Sequence, residues 1–243
     1  MSISELTKTF DHFVIAIDRS SSTYENNISL QIASALYDFA DSLTNEISIF
    51  NFDTNIFNKN IFINSFELKQ FCNDYLYPLP PPPLKNIGRG TDILLALDEL
   101  LNTIILLKNN NINQRFIGLI LTDDEGLKFS KQKVEIINKI NSNLKIIKNL
   151  NCDITILQFS PTKLNFKLYF LKYINLNFNQ IISFYSENNK INEIYRIISN
   201  SLKIMNSTDS NKSNNPSEHL YEKLTDKPAR SNILKYIFNK CIK

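Results

Sequence analysis

FVIAIDRSSSTYE, residues 13–25, runs five apolar residues into Asp18 and then, after one arginine, into three serines. The apolar run is short, rich in aromatic and β-branched residues and shows no alternation, which reads as a strand buried on both faces of a sheet. Such a strand ends at the edge of a parallel sheet, where ligands gather. Asp18, Ser20 and Ser22 are spaced two apart, so in an extended or tightly turning loop their side chains can converge on one point.

Outward from this stretch, β-rich runs alternate with longer helical ones. A helix is expected near Ser29 to Leu43, with Ala33, Leu36, Tyr37 and Ala40 at i, i+3, i+4 and i+7. EISIFNF reads as the next strand and NIFNKNIFINSF as a third. FELKQFCNDYLYPLPPPPLKNIG reads as a long irregular connection, extended and stiff at Pro80 to Pro83, which enter neither a ladder nor a helix interior. TDILLALDELLNTIILLKN is a deeply packed helix and RFIGLILTDDEG a buried strand ending in carboxylates. A further helix carries Ile137, Ile140, Leu144 and Ile147. CDITILQF and QIISFYS are strands, and a closing helix carries Ile194, Ile198, Leu202 and Met205.

This alternation predicts an α/β fold: a doubly wound, mainly parallel sheet with helices on both faces. The expected organisation is one domain over residues 10–205, a flexible linker over the polar residues 206–218, and a basic tail over 219–243. Leu234, Ile237, Phe238 and Cys241 make a stripe for a short tail helix.

Composition narrows the function classes. The net charge is +3, and residues 219–243 hold six Lys or Arg against two Asp or Glu, so about +4 lies in the tail and about −1 before it. The main domain therefore has no basic footprint for nucleic acid. Cys72, Cys152 and Cys241 are widely spaced, without a CxxC pair, which fits reduced thiols rather than a disulfide framework or zinc cage. No apolar h-region opens the chain, and the run ILLALDELLNTIILL is interrupted by Asp98 and Glu99 and falls short of the roughly 20 residues that span a bilayer. A cytoplasmic protein without a membrane span is the expectation. No GxSxG, P-loop, HExxH or GxGxxG occurs, and His12 and His219 are poorly placed for a triad, so no enzyme activity is expected.

Three loops should meet at the carboxyl edge of the sheet: DRSSS, GRGTD and TDDEG. They offer Asp18, Ser20, Ser22, Thr91, Asp92, Asp123 and Asp124, all hard oxygen donors that suit Mg²⁺, Mn²⁺ or Ca²⁺ rather than zinc. Gly88 and Gly90 would let the second loop swing close.

D-x-S-x-S after the first strand, G-T-D opening a long helix and T-D after a later strand resemble the von Willebrand factor A domain, over roughly residues 10–205. In that family the three loops form a metal-ion-dependent adhesion site. The resemblance implies Mg²⁺ (or Mn²⁺ or Ca²⁺) held by the hydroxyls of Ser20, Ser22 and Thr91 and the carboxylates of Asp18 and Asp123. Asp92 takes a helix N-terminal role. A protein partner would supply an acidic residue to the open coordination position, and similar stand-alone intracellular members work beside ATPases or other assembly machinery. DDEG departs from the family pattern by placing Asp124 and Glu125 beside the site. Two alternatives stand: a metal-dependent nuclease of the PIN type, which also ends parallel strands in Asp, and the same fold with a purely structural site.

Overall fold

The computed structural model describes residues 11–25, 27–43, 46–77, 91–110, 114–123, 133–160, 166–185, 191–206 and 216–225. The proline run, Gly88, Gly90, Asp124, Glu125 and the tail stripe from Leu234 lie outside the described residues, as does most of the expected linker.

Six strands form one sheet: β1 (Asp11–Asp18), β2 (Ile47–Phe52), β3 (Ile56–Ile63), β4 (Arg115–Thr122), β5 (Asp153–Ser160) and β6 (Ile181–Tyr185). Their spatial order is β3-β2-β1-β4-β5-β6, and every neighbouring pair is parallel except β2 with β3. The sheet is thus mixed but mostly parallel, as expected. Strand order turns about β1, flanked by β2 on one side and by β4 on the other. At edge strand β3, register shifts and the left-handed residue Asn58 (φ 49°) break the regular ladder, a device that blunts an open edge.

Alternating residues of the strands divide the core in two. Phe13, Ile15, Ile17, Ile47, Ile49 and Leu119 face α2 (Ile28–Ala40), α3 (Ser65–Phe71) and α7 (Ile191–Asn206). Val14, Ala16, Phe50, Ile120 and Ile156 face α4 (Ile93–Asn110), α5 (Val134–Asn149) and α6 (Phe166–Tyr173). Ile137, Ile140, Leu144 and Ile147 of α5 are all buried, as their spacing predicts. Gly118 lets α4 lie close on β4, since a Cβ there would sit 2.7 Å from both Leu100 Cδ2 and Ile154 Cγ2. Among the described residues no helix is long and apolar enough to cross a membrane.

One expectation is corrected and another is narrowed. The segment after Phe66 is not irregular throughout: α3 is followed by a π-helical turn, Cys72–Leu76. Asn64 and Glu67 form a capping box, with Asn64 Oδ1 accepting from Glu67 N and Glu67 Oε2 from Asn64 N, and that start signal outweighs the prolines beyond it. Of the two geometries expected for the loop after Asp18, extended or tightly turning, Ser22 takes the turning one. It belongs to α1 (Ser21–Glu25), a single helical turn after a bend at Ser20.

The chain also forms α8 (Pro216–Thr225), which begins inside the stretch expected as linker. Proline fits a helix's first turn, and the next N–H, on Ser217, donates to Asp153 Oδ2 at 2.7 Å. Leu220 and Tyr221 are buried against the core that α7 covers.

Candidate metal centre

The crevice beyond β1 and β4 is where the crossover helices leave toward opposite faces, the position at which doubly wound sheets place their ligands. Asp18, the last residue of β1, is fully buried there. Its Oδ1 accepts from Ser20 N at 2.9 Å and its Oδ2 from Thr122 Oγ1 at 2.6 Å. Burial pushes the Asp18 carboxyl above the usual carboxylate range, and the bonds from Thr122, Ser20 and the Asp123 backbone oppose that rise.

The hydroxyls are linked to one another and to Asp123. Ser22 Oγ donates to Asp123 Oδ1 at 3.0 Å, and the Ser20 and Ser22 hydroxyls share a hydrogen bond at 3.1 Å. Thr23 Oγ1 donates to Ser20 O at 2.8 Å and is itself held by Ser29 Oγ at 2.9 Å, which pins the bend to α2. Asp18, Ser20, Ser22 and Asp123 are therefore one connected set. Their convergence comes from a bend followed by a helical turn, not from strand alternation.

Thr91 stands half-buried beside the start of α4. Asp92 N donates to Asp53 O at 2.8 Å, which ties this loop to the carboxyl end of β2, while Arg19 N donates to Phe52 O at 2.8 Å. The second loop thus reaches the same edge, but no hydrogen bond among the described residues joins Thr91 to the four. Asp92 takes the helix N-terminal role expected of it, its Oδ1 accepting from Leu95 N at 3.2 Å. Lys133 Nζ lies 3.5 Å from its Oδ2.

Thr122 is the residue that sequence reasoning missed. It was visible in the T-D pair, but its role depends on the parallel pairing of β1 with β4, which places it beside Asp18.

The donor set is two carboxylates and two hydroxyls, with no nitrogen or sulfur. That chemistry fits a hard divalent cation, which would be held by Asp18, Ser20, Ser22 and Asp123 with Thr91 at the margin. Among the described residues no group of three or more His, Cys, Asp or Glu is arranged to hold a metal, so hydroxyl oxygens would have to complete any shell here.

No family model matches the sequence, and no curated protein matches it. Solved structures do. Proximal thread matrix protein 1 from the mussel byssus aligns with a TM-score of 0.55 at 16% identity, over 82% of this chain and 47% of that one. A von Willebrand factor type A protein from Catenulispora acidiphila aligns with a TM-score of 0.52 at 10% identity, over 82% and 43%. The pilus adhesin SpaC from Lactobacillus rhamnosus GG, in an open conformation, aligns with a TM-score of 0.54 at 11% identity, over 81% and 30%. The chain therefore has a von Willebrand factor A-like α/β fold, and it spans less than half the length of each of these three solved chains.

Proposed function

We propose that this chain is a protein-binding module that takes Mg²⁺ at Asp18, Ser20, Ser22, Thr91 and Asp123 and uses it to receive an acidic residue of a protein partner. The observation that carries the reading is the hydrogen-bonded convergence of Asp18, Ser20, Ser22 and Asp123 at the turn in strand order. A cation bound there would supply an open, electron-poor position for a carboxylate oxygen. The chain's own contribution is orientation: Thr122 and the Ser20 amide hold Asp18, and the bond between Ser20 and Ser22 aims two hydroxyl oxygens beside Asp123. Folds of this type commonly serve adhesion and protein binding and are mostly non-catalytic, which supports a binding role over the nuclease alternative. We place the module in a cytoplasmic assembly, beside an ATPase or a comparable machine, on the resemblance alone.

The test is calorimetric titration of Mg²⁺ into wild type and Asp123→Ala, followed by partner capture with and without EDTA. Binding lost in the variant, and capture lost in EDTA, are the expected results. A wild type that takes up no Mg²⁺, Mn²⁺ or Ca²⁺ would end the reading.

A structural site is the second reading. It is favoured by one observation: the four side chains already satisfy one another by hydrogen bonds, so the loops are tied without any ion. Capture that is indifferent to EDTA and to Asp123→Ala would select it.

A further inference from the structure

Arg19 sits between Asp18 and Ser20, yet only 6% of it is exposed. Burial of a guanidinium is costly unless a counter-charge faces it. Among the described residues no carboxylate pairs with Arg19. The guanidinium instead lies over the Tyr24 ring, 4.5 Å from its centroid, and Nη1 donates to the Leu76 carbonyl at 2.9 Å.

Both contacts have a physical basis. A cation over an aromatic face is attracted to the ring's electron-rich centre. Leu76 ends the π-helical turn that continues α3, where carbonyls lack intrahelical donors and the helix presents its negative pole. Tyr24 lies two residues beyond Ser22 on the one-turn helix α1. Arg19 thus fastens α1 to the end of the α3 and π-turn unit, across the same sheet edge to which its own N–H ties Phe52 O. No strand pairing or helix ladder joins those pieces.

We propose that Arg19 is a positioning residue: it locks the bend at Ser20 and the one-turn helix bearing Ser22 into their convergent geometry before any ligand arrives. A lysine cannot replace it, because an ammonium has no planar face to stack on Tyr24 while one edge reaches a carbonyl. A buried, carboxylate-free cation is a poor choice for stability alone, and such departures gather where a loop must be held for a task. The consequence for metal binding rests on the reading given under Proposed function; the ordering of the loop does not.

The experiment is amide hydrogen exchange over residues 20–25 in EDTA for wild type, Arg19→Lys, Arg19→Ala and Tyr24→Leu, with Mg²⁺ titration in parallel. Exchange in this segment is expected to quicken about tenfold in each variant that folds, with β4 and α5 unchanged. Tyr24→Leu keeps the question open to refutation should both Arg19 variants fail to fold. Added methylguanidinium should restore protection to Arg19→Ala, and methylammonium should not, a rescue that a general loss of packing would not show. Exchange within about twofold of wild type in the folded variants overturns the proposal. Mg²⁺ affinity should fall about tenfold in Arg19→Lys. If wild type binds no Mg²⁺ but the exchange result holds, Arg19 still positions the loop, and it is the metal reading that fails.

Discussion

Thr122 Oγ1 donates to Asp18 Oδ2 across 2.6 Å, joining the ends of two neighbouring parallel strands from residues 104 apart in the chain. The bond secures a carboxylate that the fold has removed from water, and it makes the site a property of the sheet rather than of any one loop.

Burial is the larger influence on Asp18 and raises its carboxyl, so the folded state keeps a proton where the unfolded chain has released it. Its contribution to stability is therefore fullest below the unfolded value and declines as pH rises through the folded one. Asp18→Asn keeps the shape and removes the charge. It should melt at a higher temperature than wild type in EDTA at neutral pH, and Mg²⁺ should then add nothing. Wild type should instead gain about 2.7 kcal/mol at a hundredfold excess of Mg²⁺ over its dissociation constant. Scanning calorimetry of both proteins with and without Mg²⁺ decides the matter, and a lower melting temperature for Asp18→Asn in EDTA would count against it.

His12 lies at the opposite end of β1, buried beside the Phe116 ring, with Nε2 2.9 Å from Ser48 Oγ. Burial lowers its pKa from 6.5 to about 4. The unfolded chain then binds the proton first, so stability is full above pH 6.5 and lost as pH falls toward 4, by about 3 kcal/mol in all. His12→Gln retains a partner for Ser48 and does not titrate. Urea unfolding measured across this pH range should show the slope in wild type and a shallower one in the variant.

Gly118→Ala should cost about 1–3 kcal/mol, because the added methyl meets Leu100, Ile104 and Ile154 at 3.0 Å or less in a packed interior. Chemical denaturation measures it. A loss below about 0.5 kcal/mol would mean that α4 shifts on the sheet without strain.

Truncation after Asn206 removes α8 and with it the buried Leu220 and Tyr221. Each buried side chain of this size contributes about 1.5–3 kcal/mol, so the shortened chain should lose at least about 3 kcal/mol by urea unfolding. Asp153→Ala, which removes the acceptor for Ser217 N and with it those for Gln180 Nε2 and Ile154 N, should lose about 1–3 kcal/mol. An unchanged midpoint for the truncated chain would show that α8 adds nothing to the fold.

Much of the architecture was legible because period and burial go together in this chain. The apolar runs of β1 and β4 mark strands covered on both faces, and the stripe Ile137, Ile140, Leu144 and Ile147 marks the buried side of α5. The helix at Ser65–Phe71 escaped because a seven-residue element carries less than two periods, and the prolines beyond it set the expectation for the whole segment. α6 escaped as well, being eight residues long.

The sequence by itself determined the kinds of atoms at the site: Asp18, Ser20, Ser22 and Asp123 are oxygen donors at strand ends whatever their exact placement. Only the tertiary structure decided which of them meet. Ser22 reaches Asp123 because α1 is a helical turn, and Thr122 reaches Asp18 because β1 and β4 pair in parallel. Thr91 comes to the same edge without joining the set. Local pattern reports how a residue faces its own element, whereas a contact between residues 101 or 104 apart depends on strand register, which no short window of sequence contains.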